Sequence, residues 1–230
     1  MQKIQDYILS ISPKKLAFFL VLGPLFLFLT YTILTISLGN ISDPSTGQAH
    51  AFNIILGMHI ILVALIVLIW LAWSRIVVAK VTDTQLGIGR KWFHIAFMVL
   101  IFFILFNIGA ILIEYIAETQ NAITDYKYLI NAAREFVNFG GIMIAYPIVC
   151  HYAARAATAK RNKKPATFIQ ALPFTLFLIF GTVIGVPFLH NHVSENTSTN
   201  AELMRTYAFA IGLCAIAFII GLAAAITGLV

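Results

Sequence analysis

Charge is what this sequence most lacks. Asp, Glu, Lys and Arg together make up 10% of its 230 residues, against about 25% in an average soluble domain. With 60% of the residues hydrophobic, the chain is neither a disordered segment nor an ordinary soluble domain. Cysteine is nearly absent. Cys150 and Cys214 fall in different apolar runs at different expected depths, which excludes a disulfide scaffold and predicts two free, buried thiols. There is no Cys-x-x-Cys, no Gly-x-Ser-x-Gly turn and no Gly-rich phosphate loop with its Lys. Their absence sets aside dithiol redox, hydrolase and nucleotide-dependent chemistry. No polar stretch is long enough for a soluble catalytic domain, so any chemistry must use side chains within or at the ends of helices.

Long apolar runs are what the sequence has instead. A membrane helix needs about 20 mostly apolar residues, because each rises about 1.5 Å through a hydrocarbon core about 30 Å thick. Six runs qualify: Leu16 to Leu38, Ala51 to Trp73, Trp92 to Tyr115, Phe136 to Ala156, Phe168 to Leu189 and Tyr207 to Val230. The expected fold is an all-α integral membrane protein, with residues 1–15 as an N-terminal segment and 16–230 as a six-helix bundle. Barrel strands would alternate in polarity rather than run apolar.

The basic residues set the orientation. Twelve of the 15 Lys and Arg fall in the N-terminal segment and the two loops on its side; Lys127, Arg134 and Arg205 fall on the other. The positive-inside rule then places both termini in the cytoplasm, with Trp70, Trp73 and Trp92 as an aromatic belt at the inner boundary. The same asymmetry accounts for the net charge of +6. The run from Arg155 to Lys164 reads as a topology anchor, and the bilayer rather than a nucleic acid is the expected partner. Small residues at i, i+4 spacing, Gly181 with Gly185 and Ala208 with Gly212, suit close helix packing, within one chain or in a homo-oligomer or a larger membrane complex.

Polar side chains at membrane depth are costly, and so mark candidate working sites. His59 and Asn107 each lie about 12 Å below the expected outer boundary at about 1.5 Å per residue. Asn107 and Glu114 share a helical face, and Arg134, Glu135 and Asn138 enter on the next span. These six residues predict a transport pathway, with the glutamates attracting a cation and His59 relaying or gating it. The ordinary alternative is a set of interface residues in which Arg134 pairs an acid. A metal bound by His59, Glu114 and Glu135 lacks any supporting ligand spacing.

Two further histidine groups stand out. His190 and His192 flank one residue, and with His50 they form a candidate surface site for zinc or copper. His94 and His151 lie on different spans at one inner depth, the arrangement that two axial ligands of haem b require, with Arg90, Lys91 and Arg155 near enough in sequence for its propionates. A six-span chain with histidines on its four central helices resembles the six-span membrane cytochromes b. In that family the histidines form two pairs, whereas His59 has no partner at its depth.

From Tyr152 to Val193 the chain carries Ala154-Arg155, a basic linker, Thr167-Phe168 and Ile184-Gly185 before a polar exit. This pattern resembles a group of uncharacterised bacterial multi-span proteins, and the resemblance implies a bacterial inner membrane and no activity. The leading expectation is a small channel or transporter for a cation or protons. A haem b electron-transfer subunit and a non-catalytic accessory subunit are the alternatives.

Overall fold

A computed structural model of the chain describes residues 2–21, 46–119, 125–194 and 197–227. Every regular element among them is helical. In order these are α1 (Gln2–Ser10), α2 (13–21), α3 (Thr46–Ala79), α4 (Asp83–Leu86), α5 (Lys91–Thr119) and α6 (Asp125–Asn138). A π-helical segment (Phe139–Ala145), α7 (Tyr146–Asn162), α8 (Phe168–His190) and α9 (Asn200–Thr227) follow.

Three stretches, Lys91–Ile113, Leu129–Asn162 and Phe168–His190, are long and apolar enough to cross a membrane. Their large apolar side chains also point outward: Met98, Phe102 and Leu105 on α5 are exposed, and Phe180 on α8 is 86% exposed. Soluble proteins rarely expose so much contiguous apolar surface, so these helices suit lipid better than water. Most of the first expected span, Leu16 to Leu38, falls outside the described residues.

Three helices begin on the same local device. Thr82 with Gln85, Thr167 with Gln170 and Thr199 with Glu202 each form a capping box. The threonine hydroxyl accepts from the backbone N–H three residues on, and that residue's side chain accepts from the threonine N–H. The spacing Thr-x-x-Gln/Glu is legible in the sequence and marks the starts of α4, α8 and α9.

The chain divides into two compact units, Met1–Ile76 with Gly181–Val230, and Val77–Phe180. In the first, Ala17 of α2 packs with Leu203 and Tyr207 of α9, and Val21 and Phe188 lie against them. The Tyr207 and Phe188 rings stack at 5.8 Å, and the Tyr207 hydroxyl donates to Ile184 O at 3.2 Å. Trp73 is fully buried and Trp70 nearly so, whereas Trp92 is 65% exposed. Of the three tryptophans expected in an interfacial belt, only Trp92 is exposed. The other two fill core space.

In the second unit, α5 packs against α6, the π-helical segment and α7, and α4 packs against α7. The π-helical segment has a local cause. Pro147 has no N–H to donate and its ring crowds the preceding turn, while Gly140 and Gly141 leave room for the backbone to widen. The Tyr146 N–H accordingly reaches back five residues, to Gly141 O. Further along, Gly181 leaves helical dihedrals (φ −140°, ψ 46°) inside α8. The Tyr146 hydroxyl lies 3.1 Å from both Leu178 O and Ile179 O, the carbonyls whose helical partners would follow that break.

The basic run splits. Lys160, Arg161, Lys163 and Lys164 are exposed, but Arg155 is buried and its Nη2 donates to Ala166 O. Arg155 belongs to a packed corner: Gly87, in the left-handed region at φ 67°, ends α4 directly against the guanidinium. Beside it the Tyr152 hydroxyl donates to Gly89 O at 2.6 Å.

Candidate functional site

Two places in the second unit concentrate chemistry. The first is the contact between α5 and the junction of α6 with the π-helical segment. Asn107 Nδ2 donates to Phe103 O at 2.9 Å and to Asn138 Oδ1 at 3.0 Å. A backbone carbonyl can only accept, so the Phe103 bond fixes the orientation of the Asn107 amide, and Asn138 must present its oxygen. Both donors of Asn107 are thereby used. Asn107 Oδ1 and Asn138 Nδ2 are left without partners among the described residues. One turn away the Phe103 ring presses on buried Gly141, where a Cβ would overlap it. Two asparagines expected on one pathway thus meet beside a π-helical segment, an irregularity frequent at functional sites.

Of the other residues of that expected pathway, two have described side chains. Arg134 is half-buried one turn before Asn138, on the same face, while Glu135 is exposed. The side chains of His59 and Glu114 lie outside the described residues, and His59 belongs to the first unit.

The second place is a cavity of about 640 Å³ lined by Trp92, Pro147, His151, Tyr152, Phe168, Leu172 and Thr175 among others. Its polar centre is the contact between His151 Nδ1 and Thr175 Oγ1 at 2.9 Å. The Phe168 ring packs 4.8 Å from the imidazole. His94 takes no part in this cavity. It is exposed on α5, one residue after buried Phe93. Of the cations expected to serve haem propionates, Arg90 binds Asp83 at 2.7 Å and Arg155 binds Ala166 O. No family model, no curated protein and no solved structure matches the chain.

His190, expected in the surface metal site, lies in the first unit. His190 is fully buried, and both of its ring nitrogens are engaged. Trp73 Nε1 lies 3.2 Å from Nδ1, and Nε2 lies 2.8 Å from Ile11 O. Indole N–H can only donate and a carbonyl can only accept, so Nδ1 holds the lone pair and Nε2 the proton. That tautomer leaves no nitrogen for zinc or copper. His192 is half-buried two residues on, and the His50 side chain lies outside the described residues. Among the described residues no group of three or more His, Cys, Asp or Glu could hold a metal ion.

The same contacts bear on the expected six-span arrangement. That arrangement puts Trp73 and Ile11 at the inner boundary and His190 at the outer one. Instead the three are hydrogen-bonded together, and the Ser194 hydroxyl donates to Leu9 O at 2.8 Å. Within α8, Gly181 departs from helical dihedrals, so the apolar run is not one regular helix.

Proposed function

We propose that this chain is an integral membrane protein that acts as a small channel or transporter for a cation or for protons. The observation that carries the reading is the Asn107–Asn138 contact between helices apolar enough to span a bilayer. Polar groups at such depth are expensive and are retained where they serve a pathway. The contact leaves an amide oxygen and an amide N–H₂ uncommitted, and a carbonyl oxygen suits a hard cation or a hydrated proton. Half-buried Arg134 lies one turn before Asn138, and Glu114 and Glu135 are the acidic residues this reading assigns to cation entry. The exposed apolar surface of α5 and α8 supplies the lipid-facing side.

The test is ion or proton flux into liposomes containing the purified protein. The double variant Asn107→Leu, Asn138→Leu should slow flux about tenfold or more, equivalent to about 1.4 kcal/mol in barrier height. Glu114→Ala should slow entry of the cation. Flux indistinguishable from the unmodified protein in both variants would remove this site from the pathway.

A further inference from the structure

The cavity around His151 has its own chemistry, and it does not depend on the transport reading. Thr175 carries a single hydroxyl hydrogen, and that hydrogen is used on Ala171 O at 2.9 Å, one turn back in its own helix. Thr175 Oγ1 must therefore accept from His151, which puts the imidazole proton on Nδ1. In the neutral ring this leaves a lone pair on Nε2. Nε2 is buried and has no hydrogen-bond partner, the one such side-chain atom among the residues that line the cavity. Buried polar atoms are nearly always satisfied, and an orphan of this kind asks for a ligand. A histidine held by a hydrogen bond at one nitrogen presents the other in a set direction, as residues prepared for ligands commonly do.

We propose that this cavity binds a lipid-soluble phenol of the quinol class, whose ring hydroxyl donates to His151 Nε2. Four observations select that chemistry. The volume of about 640 Å³ falls within the range of small-molecule sites, about 300–1,000 Å³. The walls are apolar and aromatic, with Trp92, Tyr152 and Phe168 suited to a ring and Leu172 and Ile148 to an alkyl tail. The Tyr152 hydroxyl is already committed to Gly89 O, so the buried polar demand of the site is a single donor. Among the described residues no cation lines the cavity, which favours a neutral ligand over an anionic one, and it lies among helices whose outer surfaces suit lipid. Haem fits less well, because His151 is the only histidine among the described residues that line the cavity, the Tyr152 hydroxyl is committed to Gly89 O, and Arg90 and Arg155 are engaged elsewhere. On this proposal the half-exposed Phe168 ring, 4.8 Å from the imidazole, turns aside as the ligand enters.

The tautomer makes the proposal sharp. A quinol brings an O–H to the lone pair, whereas the oxidised quinone brings only carbonyl oxygens and sets acceptor against acceptor. The experiment titrates purified protein in detergent, under anaerobic conditions, with a decyl-substituted benzoquinol and separately with its quinone, reading tryptophan fluorescence and equilibrium dialysis. The quinol should bind about tenfold or more tightly than the quinone, since a site built to receive a hydroxyl discriminates against analogues lacking it. Thr175→Val, which frees the imidazole to change tautomer, should erase most of that preference while leaving apolar binding of both forms. His151→Phe should abolish the preference as well. Equal affinity for the two forms, no measurable binding of either, or a preference that survives both substitutions would each overturn the proposal. So would a Soret band in the purified protein that is lost in His151→Phe, because haem would then occupy the site.

Discussion

Trp73 donates its indole N–H to His190 across 3.2 Å, although 117 residues separate the two. Both side chains are fully buried, and His190 in turn holds Ile11 O. One neutral imidazole therefore joins α3, α8 and the segment between α1 and α2. Removing one partner strands a buried polar group, which costs about 1–3 kcal/mol. His190→Ala should lower thermal stability in detergent by at least that much. Trp73→Phe should cost less, since the ring volume is largely kept. The double variant should be less destabilised than the sum of the two, by about 0.5–3 kcal/mol. Strict additivity would show that the pair is not coupled.

The asparagine pair behaves differently, because it is half-buried rather than sealed. Interhelical hydrogen bonds between membrane helices contribute about 0.6 kcal/mol on average and up to about 2. Asn107→Leu alone should cost an amount in that range, and adding Asn138→Leu should recover part of it by removing the orphaned partner. Stability measured by denaturant titration separates this structural effect from the loss of flux.

Gly141 and Gly140 make a paired test of the π-helical segment. A Cβ on Gly141 overlaps the Phe103 ring, whereas one on Gly140 meets nothing within 4 Å. Gly141→Ala should destabilise by about 1–3 kcal/mol, the usual cost of overpacking. Gly140→Ala should be close to neutral. Combining Gly141→Ala with Phe103→Leu should restore part of the loss, and thermal melting of the four proteins checks all of it.

Gly87 offers a second comparison within one loop. It sits at φ 67°, and a Cβ there would stand 2.7 Å from Arg155 Nη2; Gly89 has open space and no positive φ. An L residue in the left-handed region costs about 1–2 kcal/mol. Gly87→Ala should lose that and more as Arg155 is displaced from Ala166 O. Gly89→Ala should melt like the unmodified protein. Equal melting temperatures for the two variants would mean that the corner is not the tight contact described.

Some of the site is legible in one dimension. Asn107 and Asn138 stand out because each is a polar residue in an apolar run, although the hydropathy spans alone put them at different depths. His151 stands out for the same reason, but its partner does not. Depth matching suggests His94, whereas the partner is Thr175, a small polar residue that helical membrane segments tolerate without notice. His190 shows the opposite failure. A His-x-His at the end of a span looks like a surface ligand set, and only the meeting with Trp73 and Ile11 turns it into a core residue. The three Thr-x-x-Gln/Glu boxes are fully legible, since a capping box is a contact between neighbours in sequence.

That this chain is helical and apolar follows from one dimension alone, because hydropathy and backbone satisfaction are summed along one segment at a time. Tertiary structure alone decided which face of each helix turns inward. In a soluble helix an apolar stripe marks the core, but α5 and α8 are apolar on every side, so no periodicity distinguishes a lipid-facing residue from a packed one. What separates them is shape and hydrogen bonding between distant residues: Phe103 seated on Gly141, Tyr146 at the carbonyls before Gly181, and Trp73 closed onto His190. Those contacts depend on where the helices meet, and no single apolar segment carries that information.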